Sequence, residues 1–302
     1  MTMRMKTLLL GLVAVAAATA GCSRNNIEAV NLSNEGDKVR TANIDEAISK
    51  YEQATNLDPT NHRILWKLAT AYQKKEAWDK VASTCSRAEK IAPKHANYYF
   101  LHGYALEQEA AKGPTGWAEA KGPLTTAIQL DPNYAEANFE LAQVLLHSDD
   151  EAGALQNYTE AIQKKPDELV FYGPLADLYI RLNFFDQADQ VLKEAFGFAK
   201  SDEKGLFTIR TLAGEVKEFR GDNGGAVSEY EAARKACGTC SEKGQQIAYF
   251  NLGFAYFKAG KKTEAVQQLT KFKTTVCDGP AKNRYLDECA QGQEILKELN
   301  GS

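Results

Sequence analysis

Residues His62–His95 read HRILWKLATAYQKKEAWDKVASTCSRAEKIAPKH, and the spacing within this stretch decides the fold. Leu65, Leu68, Ala69 and Tyr72 fall three, one and three residues apart, which places them on one face of a helix. A polar turn at Lys74–Ala77 follows, and Val81, Cys85 and Ala88 then repeat the helical spacing. Pro93 ends the second helix, because the pyrrolidine ring removes a donor and blocks the next turn. The block is therefore an antiparallel helix pair. Its small residues mark places where two helix axes come close.

The same grammar extends in both directions. Ala47, Val81, Ala120, Ala154, Ala188, Ala226 and Ala265 are separated by 34, 39, 34, 34, 38 and 39 residues. A companion series, Ala69, Gly103, Ala142, Ala176, Gly214 and Gly253, shifts in step with it, so the insertions lie inside units. A period in the thirties is the signature of stacked repeats, in which each pair buries its apolar face only against its neighbours. The units are 62–95, 96–134, 135–168, 169–202, 207–240 and 246–279, preceded by a degenerate copy at 28–61. The last stretch, 280–302, contains a helical pattern over Asn283–Leu299 with no partner and reads as a capping helix. Four positions break the pattern: Lys217 stands for an aromatic, Phe272 for a small residue, and Pro174 and Pro123 fall where helix is expected. Pro123 is read as the start of its helix.

Tyr249–Tyr256 (YFNLGFAY) followed by Ala265, and Ala154, Tyr158, Ala161 and Pro166, resemble the tetratricopeptide repeat (TPR) over most of the chain. The resemblance implies an all-α, right-handed superhelix of about seven repeats that binds protein partners along its concave face. First helices line that face in the family. The matching positions here carry Trp66 and Thr70, Phe100 and Tyr104, Phe139 and Gln143, and Phe250 and Phe254, with Phe257 beside the last pair. Such aromatics either form apolar pockets for a partner segment or pack between adjacent first helices. The lysine- and asparagine-rich clamp that grips terminal carboxylates in chaperone-binding relatives is missing at these places.

The N-terminus reads as an export address. Arg4 and Lys6 precede an apolar run from Leu8 to Ala18 that is too short to span a bilayer. It ends in Thr19-Ala20-Gly21-Cys22, which resembles a bacterial lipobox, so residues 1–21 are expected to be removed and Cys22 to carry lipid. Residues 22–27 would form the lipidated cysteine and a short linker. By the same resemblance, Ser23 points to the periplasmic face of the outer membrane in the bacterial cell envelope. An ordinary signal peptide or a buried cysteine is the alternative.

Without residues 1–21 the net charge is −6, with no basic stripe to neutralise phosphates, so no nucleic-acid partner is expected. The four histidines form no metal or nucleophile motif, and Asp149–Glu151 and Gly221–Gly225 read as turns. No catalytic residue, metal, cofactor or small-molecule substrate is expected. Cys85 reads as a buried thiol. Cys237, Cys240, Cys277 and Cys289 are disulfide candidates, paired 237 with 240 and 277 with 289, although free thiols, zinc or a redox pair remain open. The function expected is a membrane-anchored periplasmic scaffold for envelope complex assembly. The alternatives are a pilotin-like role in type IV pilus or secretin assembly, a regulator of an envelope-building enzyme, and a redox enzyme acting through Cys237 and Cys240.

Overall fold

A computed structural model describes residues 24–113, 116–199 and 205–301. Among the described residues there are fifteen α-helices and no strand. Helix α1 spans 24–39 and is followed by α2 (Ile44–Leu57), α3 (His62–Lys74), α4 (Trp78–Ile91), α5 (Ala96–Ala110), α6 (Trp117–Leu130), α7 (Ala135–Leu146) and α8 (Glu151–Lys164). Then come α9 (Tyr172–Arg181), α10 (Phe185–Phe198), α11 (Leu206–Phe219), α12 (Asn223–Ala236), α13 (Ile247–Lys258), α14 (Lys262–Phe272) and α15 (Leu286–Asn300). The chain divides into two compact units, Met1–Asn157 and Tyr158–Ser302, with the division inside α8. Within each unit, helical hairpins pack in chain order, the arrangement of an all-α repeat solenoid. All three tryptophans, Trp66, Trp78 and Trp117, fall in the first unit.

The two small-residue series are the packing seams. All seven residues of the first series are fully buried on the second helices. One turn further on, Tyr51, Cys85, Leu124, Tyr158, Leu192, Tyr230 and Leu269 are buried as well. Three of them, Leu124, Tyr230 and Leu269, press on the glycines of the companion series on the first helices. A Cβ on Gly103 would lie 2.5 Å from Leu124 Cγ, and one on Gly253 would lie 2.8 Å from Leu269 Cγ. Glycine is required there by volume, because the facing helix occupies the space of a methyl group.

The turns repeat too. Glu76, Asp149, Asn183, Gly221 and Gly260 hold the same place in their units, and each has φ between +53° and +73°. A left-handed residue closes the first helix and redirects the chain, at a conformational cost for the three that have a Cβ. Asp150 and Asp222 then cap the following helices, accepting from the Gly153 and Gly225 amides at 2.9 and 2.8 Å. The acidic and glycine-rich turns are thus structural.

Two expectations change. Pro123 lies inside α6 rather than at its start, since the helix begins at Trp117. The residues 24–27 assigned to a linker are already helical, because α1 begins at 24. Tyr51 fixes α1 against α2. Its hydroxyl donates to Asp37 Oδ1 at 2.7 Å, and Lys67 of α3 reaches Asp37 Oδ2 at 2.6 Å. Helix α1 is therefore the first member of a full hairpin. Residues 1–21, expected from sequence to be an export signal, and Cys22, the expected lipid site, lie outside the described residues.

The C-terminal end is closed by α15, which packs on α13 and α14. Phe272, the departure from the small-residue pattern, is 1% exposed, with its ring 5.4 Å from Phe250 and 6.1 Å from Tyr285. It fills the space beneath the cap that a following repeat would otherwise fill.

Candidate protein-binding surface

First helices carry the aromatics singled out from sequence. In the first unit Trp66 is half-buried, its ring 5.4 Å from Tyr98. His62 and His95 stack at 5.2 Å beside that tyrosine, and His62 Nδ1 lies 2.6 Å from its hydroxyl. Phe100 stacks on Tyr104 at 6.1 Å and meets Tyr134 at 4.7 Å, while Tyr104 stands edge-on to Trp78 at 5.5 Å. Phe100, Tyr104 and Phe139 are half-buried. These rings are partly packed between helices and partly open, so each of the two readings describes one side of them.

The second unit separates the three phenylalanines. Phe250 is 7% exposed, stacked on Phe254 at 6.0 Å and covered from above by α15, whose Gly292 faces its ring. Phe250 is therefore a core residue and not part of the open surface expected from sequence, because sequence spacing does not show where the cap lands. Phe257 is half-buried against the same C-terminal core. Phe254 remains half-open and lines a cavity of about 660 Å³ formed by α11, α12 and α13.

The packing seam builds this cavity. A Cβ on Gly214 would fall 2.5 Å from the Tyr230 ring, so the glycine lets Tyr230 lie flat on α11. From there the buried Tyr230 hydroxyl donates to Glu218 Oε2 at 2.9 Å, and burial beside Glu218 pushes its own pKa up. Glu218 Oε1 is buried without a hydrogen-bond partner. Burial raises the pKa of both Glu215 and Glu218; Asp177 raises Glu215 further, whereas Tyr230 and Lys258 oppose the rise at Glu218. Lys258 Nζ sits 5.3 Å from the centre of the Phe254 ring. Glu215, Glu218, Tyr230 and Lys258 were not legible as site residues, because their convergence is across helices. The spacing of Gly214 and Tyr230 carried the only signal.

A second carboxyl pair lies in the first unit. Glu107 of α5 is 6% exposed and hydrogen-bonds Glu140 of α7, and burial together with that neighbour raises its pKa. A carboxyl whose folded pKa exceeds its unfolded value favours folding at low pH. The contribution is lost as pH rises from the ordinary carboxylate range through the folded value. Each unit of that rise is worth about 1.4 kcal/mol. Glu107→Gln keeps a donor to Glu140, so it should gain on the order of 2 kcal/mol relative to wild type between about pH 4 and pH 8. Denaturant titrations at both pH values check this, and a gap that does not widen with pH would refute it.

Among the described residues the cysteines form two disulfides, Cys237–Cys240 and Cys277–Cys289, with Cα separations of 4.7 and 5.6 Å, while Cys85 is a buried free thiol. Among the described residues no group of three His, Cys, Asp or Glu could hold a metal ion, and no helix is long and apolar enough to cross a membrane.

Stacked helical hairpins with half-open aromatics on their first helices define a repeat scaffold. Three segments match family models: a TPR repeat at 43–76 and tetratricopeptide repeats at 115–168 and 247–273. The chain is a tetratricopeptide-repeat protein, and these repeats mark it as a scaffold for protein–protein interaction. No curated protein matches it. Among solved structures it is similar to MamA, at 25% identity and TM-score 0.50, over 54% of this chain and 93% of that one. PilF of Pseudomonas aeruginosa is 17% identical with a TM-score of 0.55, covering 70% and 92%. A tetratricopeptide repeat protein from Parabacteroides merdae is 16% identical with a TM-score of 0.50, covering 75% and 84%. The last two likenesses are of fold.

Proposed function

We propose that this protein is a lipid-anchored scaffold on the periplasmic face of the outer membrane, holding a protein partner on its first-helix aromatics during envelope complex assembly. The half-open aromatic-walled cavity around Phe254 carries the binding part of this reading. Desolvated aromatics supply most interface energy, and this one is already positioned by packing. The lipobox-like sequence ending at Cys22 supports the anchor. Several acyl chains on one cysteine hold a protein stably to a bilayer. The plan of lipobox plus repeats also favours a narrower pilotin-like role, and identification of the crosslinked partner separates that role from regulation of an envelope enzyme.

The test uses intact cells. Wild type should take up a fatty-acid probe and Cys22→Ser should not; equal labelling refutes the anchor. Trp66→Ala and Phe254→Ala should each weaken the crosslinked partner by at least about 2 kcal/mol, roughly thirtyfold, with helical signal retained. A stable double variant that recovers its partner at wild-type levels would show that these aromatics are not the surface.

A further inference from the structure

The cavity in the second unit has a chemistry more specific than an apolar groove. Two carboxylates, Glu215 and Glu218, face it against one ammonium, Lys258. Glu218 is partly compensated by Tyr230 and Lys258, but Glu215 forms no ion pair among the described residues. The charges that act on it are carboxylates, Asp177 and Glu218, and Asp177 is itself held by Arg181 at 3.2 Å. The site is thus left with unbalanced negative charge in a half-buried setting, where water screens it poorly.

Its walls suit a flat cation. Phe254 already has an ammonium over its ring, and Phe219, 58% exposed, stacks on Phe185 at 4.9 Å at the cavity rim. Aromatic faces attract cations, and a planar guanidinium stacks on them while its edge donates to carboxylates. A volume of about 660 Å³ lies within the usual range for a ligand pocket and leaves room for a long side chain with its backbone outside. A chain-terminal carboxylate is the wrong occupant, because it would be placed beside two like charges.

We propose that the cavity formed by α11, α12 and α13 is a specificity pocket for an arginine side chain on an extended segment of the partner protein. Glu215 supplies the principal charge and Phe254 the stacking face. This rests on the reading of the first-helix aromatics as the protein-binding surface, and it states what that surface selects.

The probe is a fluorescent octapeptide, blocked at both ends, with one arginine among leucine and glycine residues, titrated against the full protein by polarisation. Three further peptides replace the arginine by lysine, by citrulline (equal in shape but uncharged) or by glutamate. The arginine peptide should bind best, lysine should be weaker, and citrulline should lose about tenfold or more. Glu215→Gln should cause a comparable loss for the arginine peptide and none for citrulline, so that the two losses do not add. Glu215 holds no structural hydrogen bond in the described residues, so its variant should fold, with unchanged ellipticity as the control. Equal binding of arginine and citrulline peptides, or arginine affinity unchanged in Glu215→Gln, overturns the pocket. If in either case Phe254→Ala still abolishes binding, the aromatic surface survives without the charge selection. If no peptide binds saturably, the arginine pocket is overturned, while crosslinking at Trp66 and Phe254 in cells still decides the surface.

Discussion

Phe272→Ala is expected to destabilise the C-terminal end by about 4 kcal/mol, within the range for removing a buried phenyl group. The ring is 1% exposed and touches both partners that matter there, Phe250 from α13 and Tyr285 just before α15. Removing it leaves a void that three elements line, and none can close it without moving its own helix. The capping helix should come loose first, since it buries Ile295 and Cys289 in this same cluster. Urea titration followed by far-ultraviolet ellipticity measures the loss. A change below about 1 kcal/mol would mean that the cap repacks freely and that Phe272 is not its anchor.

The second large effect concerns Cys277–Cys289. This disulfide closes a loop of 12 residues and ties the segment after α14 to the first turn of α15. Restricting the unfolded chain over that length is worth about 3 kcal/mol in the loop-entropy account. The Cys237–Cys240 link spans only 3 residues, and the same account gives it about half as much. Cys277→Ser with Cys289→Ser should therefore lower stability by about 3 kcal/mol and expose α15 to limited proteolysis, whereas Cys237→Ser with Cys240→Ser should do much less. Equal proteolytic resistance of the Cys277→Ser/Cys289→Ser protein and wild type would rule out this role.

The hairpins were legible because close packing demands small residues, and a demand repeated at each seam leaves a period in the sequence. The structure gives that period its cause in Gly103 under Leu124, Gly214 under Tyr230 and Gly253 under Leu269. Features that depend on one contact rather than on a repeated one were not legible. Phe272 read as an anomaly until α15 was seen to need it. Phe250 shares the spacing of the open aromatics yet is covered, because the cap descends on that side alone. Pro123 and residues 24–27 misled because helix ends are set by local hydrogen bonds that composition barely records. The pairs Glu107–Glu140 and Glu215–Glu218 look like ordinary charged positions in sequence. Only the fold shows which of them lose their water.

The placement of the indoles has an optical consequence. With Trp66, Trp78 and Trp117 all before residue 158, tryptophan emission is a natural dye for Met1–Asn157 and is blind to Tyr158–Ser302. Ellipticity sums over both. In a chain of nearest-neighbour interfaces, damage at one end reaches the other only through the interfaces between. For Phe272→Ala the emission curve should therefore stay where it is in wild type while the ellipticity curve acquires an early step. One sample, read at two wavelengths, would then report how far a disturbance travels along the repeats.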